Sequence, residues 1–353
     1  MKRRKFGQAS PGVVRFMYWT IRKDPTAILH LLGTFWRILP NYLRVRSWLK
    51  ADPEAGLIIV KVEHIGDIVA AEPIGRHARD SSPGRPILWV VDRRYAALVR
   101  SFGCADRILP VQCVTDWILL SRLVRRPEVW NLHIDGHCCP RCQVPVRGNM
   151  RSGLNFSNYY NFGNLTEVQC LLADLPKLQD PPSLPVSATV RRQILTFLPS
   201  RRYFVVHCKS NHSDRDWTDS GWQRLVDKLI ACYGVTVVEV GLEAIAVQKP
   251  DSHRRSLCGQ LDIMQTAEAI RGAALFIGID SGPAHLANAV GTPGVILLGE
   301  YRGFAGHMPF SGGYGSGELA EIVRSNGPVS AISLERVMEA VERRVAPVIV
   351  SKP

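Results

Sequence analysis

Phe276-Ile-Gly-Ile-Asp-Ser-Gly-Pro-Ala-His285, continued by Leu286-Ala-Asn-Ala-Val-Gly-Thr-Pro-Gly294, compresses an apolar strand, a tight acidic-hydroxyl-glycine turn and the start of a helix into one short stretch. A turn of this kind aims backbone N–H groups and the positive end of a helix at one spot, which suits a phosphate. Ser281 can cap the helix or donate to an anion, Gly282 allows close backbone approach, and Pro283 suits the first helical turn. His285, one turn into the helix, can face the same spot. By itself Asp280–Pro283 serves equally well as an ordinary capped turn, and both readings stand at this point.

Outward from this stretch the pattern is α/β. Strands are expected at Leu275–Gly278 and Gly294–Leu298, on either side of the His285 helix, and at Tyr203–His207 and Thr236–Val240. Helices are expected over Ser220–Tyr233, Asp262–Arg271 and Leu334–Val345. A similar alternation comes earlier: strands at Leu57–Val62, Ile87–Val91, Arg107–Val111 and Val129–Ile134, with a helix from Ile65 through Arg79 and another around Tyr95 to Phe102. Strands alternating with helices imply parallel sheets covered on both faces. Pro181-Pro-Ser-Leu-Pro185 reads as the linker. We therefore expect an extension over residues 1–55, Rossmann-like domains over 56–180 and 186–330, and a helix and tail over 331–353.

The 353 residues suit two domains rather than one core, and 46% hydrophobic content is ample for burial. The net charge of +13 is concentrated at one end. Residues 1–50 hold eleven Lys or Arg and one acid, Asp24, so the rest of the chain is nearly neutral. No nucleic-acid module stands behind that charge, and no nucleic-acid partner is expected. The same segment carries Phe16, Trp19, Phe35, Trp36, Tyr42 and Trp48, with Asp24-Pro25 as a helix start. It reads either as a helix at an anionic membrane surface or as one packed on the body with a solvated basic face. His30, Arg37 and Pro40 break the apolar runs, so no stretch is long enough to cross a bilayer. No signal peptide is expected, for want of an apolar stretch and a small-residue cleavage site. Nine cysteines without a regular framework favour a reducing cytoplasm.

Two further stretches follow strands. Glu63-His64-Ile65-Gly66-Asp67 offers two carboxylates and an imidazole at a sheet edge, with Asp67 either a general base or a carboxylate favoured by the helix start. His207-Cys-Lys-Ser-Asn-His-Ser-Asp-Arg-Asp-Trp217 supplies Lys209, Ser210, Asn211 and Arg215, donors suited to diphosphate oxygens.

Together, Leu57–Arg79 with Ile65-Gly66-Asp67, Lys209–Trp222, and Ser256–Gly299 with Asp-Ser-Gly-Pro-Ala-His resemble the ADP-heptose–lipopolysaccharide heptosyltransferases of glycosyltransferase family 9. The resemblance runs with gaps from Leu57 to Gly299 and is most specific in its C-terminal block. It implies a GT-B fold, with the N-terminal domain binding the acceptor and the C-terminal domain the nucleotide-sugar donor. It further implies inverting transfer of heptose from an ADP-sugar without a metal. Asp67 matches the family's catalytic base, and Asp280, Ser281, Gly282 and His285 match its donor-binding motif. Lys209 and Ser210 belong to the donor loop. Arg215 stands where the family commonly has a lysine near the diphosphate, and Glu243 matches a glutamate near the nucleoside.

The chain departs from the family in its basic extension and in His133-Ile-Asp-Gly-His-Cys-Cys-Pro-Arg-Cys142. There His133, His137, Cys138, Cys139 and Cys142 form a candidate zinc cluster, but the spacing is unorthodox and no zinc is expected. The reading is a cytoplasmic, peripheral inner-membrane enzyme building lipopolysaccharide core. An autotransporter-type protein heptosyltransferase and a non-catalytic sugar-nucleotide-binding protein remain alternatives. A dehydrogenase lacks support, since Gly-x-Gly-x-x-Gly is absent after the first strand.

Overall fold

Two all-parallel sheets form because two sets of short strands, with apolar and largely β-branched central members, each alternate with helices. The computed structural model describes residues 26–49, 56–124, 127–149 and 153–350; Phe16, Trp19 and the Asp24-Pro25 helix start lie outside them. Helix α1 (Thr26–Leu49) is followed by β1 (Leu57–Val60), α2 (Ile65–Ala70), α3 (Glu72–Ser81), β2 (Ile87–Asp92), α4 (Ala96–Phe102), β3 (Arg107–Val111), α5 (Val114–Leu120), β4 (Glu128–Asn131) and α6 (Leu165–Leu172). The order in this sheet is β3-β2-β1-β4. After α7 (Ala188–Ile194) come β5 (Tyr203–His207), α8 (Asp219–Tyr233), β6 (Thr236–Glu239), β7 (Arg254–Ser256) and α9 (Ile263–Arg271). They are followed by β8 (Leu275–Ile279), α10 (Gly282–Ala289), β9 (Gly294–Leu298), α11 (Gly312–Ser316), β10 (Ala320–Arg324) and α12 (Leu334–Val350). The second sheet runs β10-β9-β8-β5-β6-β7.

The central strands are buried along their whole length, β1 as Leu57-Ile-Ile-Val60 and β8 as Leu275-Phe-Ile-Gly-Ile279. Burial of each large aliphatic side chain there contributes about 1.5–3 kcal/mol. Helix ends follow sequence signals. Asn164 with Glu167 and Asp262 with Gln265 form reciprocal capping boxes. Gly234 stops α8 in the left-handed region at φ 60°. The helix expected from Ile65 to Arg79 is two helices, and Pro73 in the first turn of α3 explains the break, since it has no N–H to continue the ladder. The strand expected at Val129–Ile134 ends at Asn131. Helices α5, α6 and α7 and the charged edge strands β7 and β10 were not foreseen. Val337, Ala340 and Val341 of α12 enter the same core as β5 and β9.

The two halves share a continuous apolar core in which Trp89 and Val99 of the first join Met264, Ala284 and Leu286 of the second. Helices α2 and α10 pack against each other near their N-terminal turns. A Cβ on Gly66 would lie 2.6 Å from the His285 ring, and one on Gly282 would lie 3.0 Å from Ile65. The carboxyl ends of β1, β5, β6 and β8 therefore carry their loops to one cleft, the usual ligand position in open parallel sheets.

Candidate active site

Asp67 sits in the first turn of α2, the helix that follows the carboxyl end of β1 after a four-residue loop. Its side chain is 22% exposed and receives Lys61 Nζ at 2.8 Å, while Lys61 itself is buried. Burial alone would raise the Asp67 pKa, but the Lys61 ammonium and then the His64 and His285 rings hold it below the usual carboxylate range. Ordinary turns do not produce this geometry: His64, which precedes α2, has φ 63° and ψ 122°, a conformation that costs a non-glycine residue on the order of 1–3 kcal/mol. Its Nδ1 lies 3.9 Å from Asp67 Oδ2. The Gln169 side chain of α6 donates to the Asp67 carbonyl at 2.9 Å, locking the turn from the other side.

Asp280 faces it from the end of β8. It is buried, and Arg215 Nη1 donates to its Oδ2 at 3.1 Å. His285 Nε2 stands 3.9 Å from Oδ1 and His307 Nε2 3.8 Å from Oδ2. Burial opposes the charge on Asp280, yet His307, Arg215 and His285 together keep it ionised far below the ordinary range. The buried His285 imidazole is pushed toward neutrality by desolvation, which outweighs the attraction of Asp280 and Asp67.

Arg215 comes from the loop after β5, where a single 3₁₀ turn spans Ser213–Arg215. Its guanidinium also bonds Asn211 and lies 4.8 Å above the Tyr301 ring. Its Nε–H is buried with no partner, as is His307 Nε2 on the other side of Asp280, and buried polar groups left unpaired in this way mark a place where a ligand can bond. Tyr160 packs on His307 at 4.8 Å and Phe304 packs on Tyr160 at 5.4 Å, so aromatic rings from both halves wall this region. A cavity of about 630 Å³ opens beside it, lined in part by Tyr160, Glu167, Met308 and Phe310.

The remaining sequence candidates divide. Lys209 is half-exposed, with Nζ 3.3 Å from Asp216 Oδ2. Ser210 is engaged within its own loop, its hydroxyl donating to the His212 carbonyl at 2.6 Å. Ser281 precedes α10 but makes no side-chain cap; its hydroxyl donates back to the Ile279 carbonyl at 3.1 Å. Glu243 is exposed in the loop after β6. That loop is held by Glu239, whose buried carboxylate accepts from the N–H groups of Ile245, Ala246 and Val247. Lys61, Tyr160, Tyr301 and His307 were missed by sequence reasoning. Only Lys61 left a signal, as a charge inside an apolar strand pattern, where burial demands a partner.

The candidate zinc cluster does not assemble as expected. His133 Nε2 accepts from the Val62 N–H and its Nδ1 bonds Asn131, so both ring nitrogens are spent. His137 Nδ1 donates to the Ile134 carbonyl and its Nε2 lies 3.4 Å from Glu63. Cys138 is exposed, whereas Cys139 and Cys142 turn inward toward Cys113.

Residues 164–303 match the sequence model of glycosyltransferase family 9 (heptosyltransferase). The stretch contains Lys209, Arg215, Glu243, Asp280, Ser281, Gly282 and His285 and leaves Asp67 outside. No curated protein sequence matches the chain. Among solved structures, the glycosyltransferase family 9 protein of Veillonella parvula DSM 2008 is similar at a TM-score of 0.65 and 17% identity, covering 83% of this chain and 98% of that one. ADP-heptose lipopolysaccharide heptosyltransferase II of E. coli follows at 0.62 and 18%, with 83% and 99% covered. The iron-containing dodecameric glycosyltransferase TibC of enterotoxigenic E. coli H10407 gives 0.58 and 14%, with 85% and 80% covered. The fold is GT-B, and the family resemblance read from the sequence is borne out.

Proposed function

From a family match centred on the donor half and a fold shared with heptosyltransferases, we propose that the chain is an inverting glycosyltransferase. It moves a heptose or closely similar sugar from an ADP-sugar to a cell-surface glycan acceptor, lipopolysaccharide core being the acceptor class. The observation that carries this reading is the pairing of an ionised, partly exposed Asp67 with an Arg215-bearing donor turn across one cleft.

In this mechanism the acceptor hydroxyl attacks the anomeric carbon from the face opposite the diphosphate. A bond forms between that carbon and the acceptor oxygen, the carbon–phosphate oxygen bond breaks, and the hydroxyl proton passes to the Asp67 carboxylate. A carboxylate of depressed pKa is a weak base, which is sufficient because the hydroxyl becomes acidic as it bonds to an electron-poor carbon. Negative charge grows on the leaving diphosphate. The unpartnered Arg215 Nε–H, the half-exposed Lys209 ammonium and the backbone at the start of α10 are placed to receive it. Asp280 positions Arg215 rather than meeting the donor, since its oxygens are buried against Arg215 and the His285 and His307 rings.

Transfer is tested with purified protein and a panel of ADP-, UDP- and GDP-sugars, reading donor consumption and thermal protection. Protection by ADP and ADP-heptose together with acceptor-dependent ADP release is expected. Protection by another nucleotide alone would overturn the donor assignment.

A lipid-linked acceptor fits helix α1, which is built inside out. Its buried positions include Thr34 and Asn41, while Leu29, Leu32, Phe35, Trp36, Leu39 and Leu43 are exposed, Trp36 to 85%. An apolar stripe beside a strongly basic segment suits the surface of an anionic bilayer, and no helix among the described residues is long and apolar enough to cross one. Sedimentation with phosphatidylglycerol vesicles should fall at least tenfold when Trp36 and Leu39 are both changed to Glu. Unchanged binding would remove the membrane from this reading.

A further inference from the structure

The cysteines that turned away from the expected histidine cluster meet elsewhere. Cys113, at the end of the β3 edge, and Cys139 and Cys142, from the loop after β4, bring their Sγ atoms within 4.8 Å of one another, all buried. Cys113 and Cys142 Sγ are 3.8 Å apart. A disulfide would need about 2.05 Å. A tetrahedral ion with metal–sulfur bonds of about 2.3 Å spaces its sulfurs about 3.8 Å apart.

The loop is built to present them. In Cys139-Pro-Arg-Cys142 the chain turns back so that the Gln143 N–H donates to the Cys139 carbonyl at 2.8 Å, with Gln143 in the left-handed region at φ 53°. The Cys139 N–H donates to the Val144 carbonyl at 2.8 Å, closing the far side. The three thiols face one another inside this turn, and Cys113 and Cys142 are in direct contact. The Thr115 hydroxyl, buried and otherwise unpartnered, lies beside Cys139 and Cys142. Helix α1 covers the group from above: Thr34 Oγ1 is 3.9 Å from Cys142 Sγ, and Arg37, which binds Asp116 through Nε and Nη2, adds positive charge near Cys113 and Cys142.

We propose that Cys113, Cys139 and Cys142 hold one thiophilic divalent cation of the zinc type, with a threonine hydroxyl or a water as the fourth ligand, and that the ion fastens α1 to the N-terminal sheet. Thiol protons leave to solvent as the metal–sulfur bonds form, and no electrons move. A three-thiolate divalent site carries a net negative charge, and the Arg37 guanidinium, shared with Asp116, lies near it. The site stands apart from the transfer chemistry, so it survives even if the glycosyltransferase reading fails.

Full-length protein purified without chelators should contain one zinc or iron-group ion per chain by mass spectrometry of metals. The Cys139→Ser and Cys142→Ser variants should lose it, and Cys258→Ser, remote from the cluster, should keep it. Wild-type protein stripped with a chelator and titrated with Co²⁺ should show intense thiolate-to-cobalt charge transfer saturating at one equivalent, a readout independent of whether any variant folds. Hydrogen exchange of α1 amides should speed up on stripping and recover on adding Zn²⁺. Absence of both stoichiometric metal and cobalt–thiolate bands, or a Cys113–Cys142 disulfide in protein kept reduced, overturns the site; unchanged exchange in α1 overturns its fastening role.

Discussion

Two carboxylates stand at matching strand-to-helix turns on opposite sides of the cleft, and they are prepared for different work. Asp67 has one cation, Lys61, at 2.8 Å and keeps a face to solvent. Asp280 is closed in by Arg215 and two histidines and has no such face. A charge that is ionised and reachable can take a proton from a substrate. One that is ionised and sealed can only hold its partners in place. The difference lies in position and neighbours: Asp280 directly follows its strand and precedes the helix, whereas Asp67 lies in the first turn of its helix.

The comparison breaks most sharply at Asp67. Asp67→Asn should lower kcat about 10²–10⁴-fold, the usual value of a general base, with affinity for ADP within about threefold of wild type, since the change leaves the donor turn untouched. Retained turnover would show that Asp67 is a helix-start carboxylate and nothing more. Asp280→Asn should act in the opposite sense. It leaves Arg215 buried without its counter-charge, which costs about 3–5 kcal/mol, read as a lower denaturant midpoint, with donor affinity weakened before kcat. The pH dependence shares this sign: the Asp280 pKa is depressed in the fold, so its stabilisation is complete above about pH 4 and is lost as pH falls toward the folded value. A wild-type midpoint that stayed flat through the acid range would contradict the sealed pair.

How far the site could be read in advance follows the same division. Asp280, Ser281, Gly282 and His285 lie in one unbroken strand-turn-helix, so the sequence spacing carries the spatial one. Asp67 lies in another. Apolar strands alternating with helices made the two sheets legible, whereas the break that Pro73 imposes between α2 and α3 was read through as one helix. The groups that condition the carboxylates come from elsewhere: Tyr160 sits in a single 3₁₀ turn and His307 in an irregular loop, and Cys113 meets Cys139 and Cys142 only because β3 and the loop after β4 converge. Which face of α1 turns inward was hidden for a different reason. Its sequence is amphipathic, but nothing in the pattern says that the polar Thr34 and Asn41 face inward.

Lys61 is where the comparison can be sharpened with least damage. It ends a buried strand, 4% exposed, and its ammonium touches Asp67 and the Leu132 carbonyl. Lys61→Met keeps the volume and removes the charge; it leaves Asp67 without its cation, a loss that its 22% exposure offsets only in part, so the variant should also be less stable. With the ammonium gone, burial acts on Asp67 unopposed by its main partner, and the carboxyl pKa rises. A base with a depressed pKa works at all pH values above it and fails as pH falls through it. The acid limb of kcat/KM should therefore move up by about one to three units, the usual size of one close charge, while the rate near pH 8 is kept or rises, because a less stabilised carboxylate is the better base. An acid limb that does not move would mean that the group titrating in catalysis is not Asp67, and the distinction between a working and a holding carboxylate would then have to be drawn at another residue.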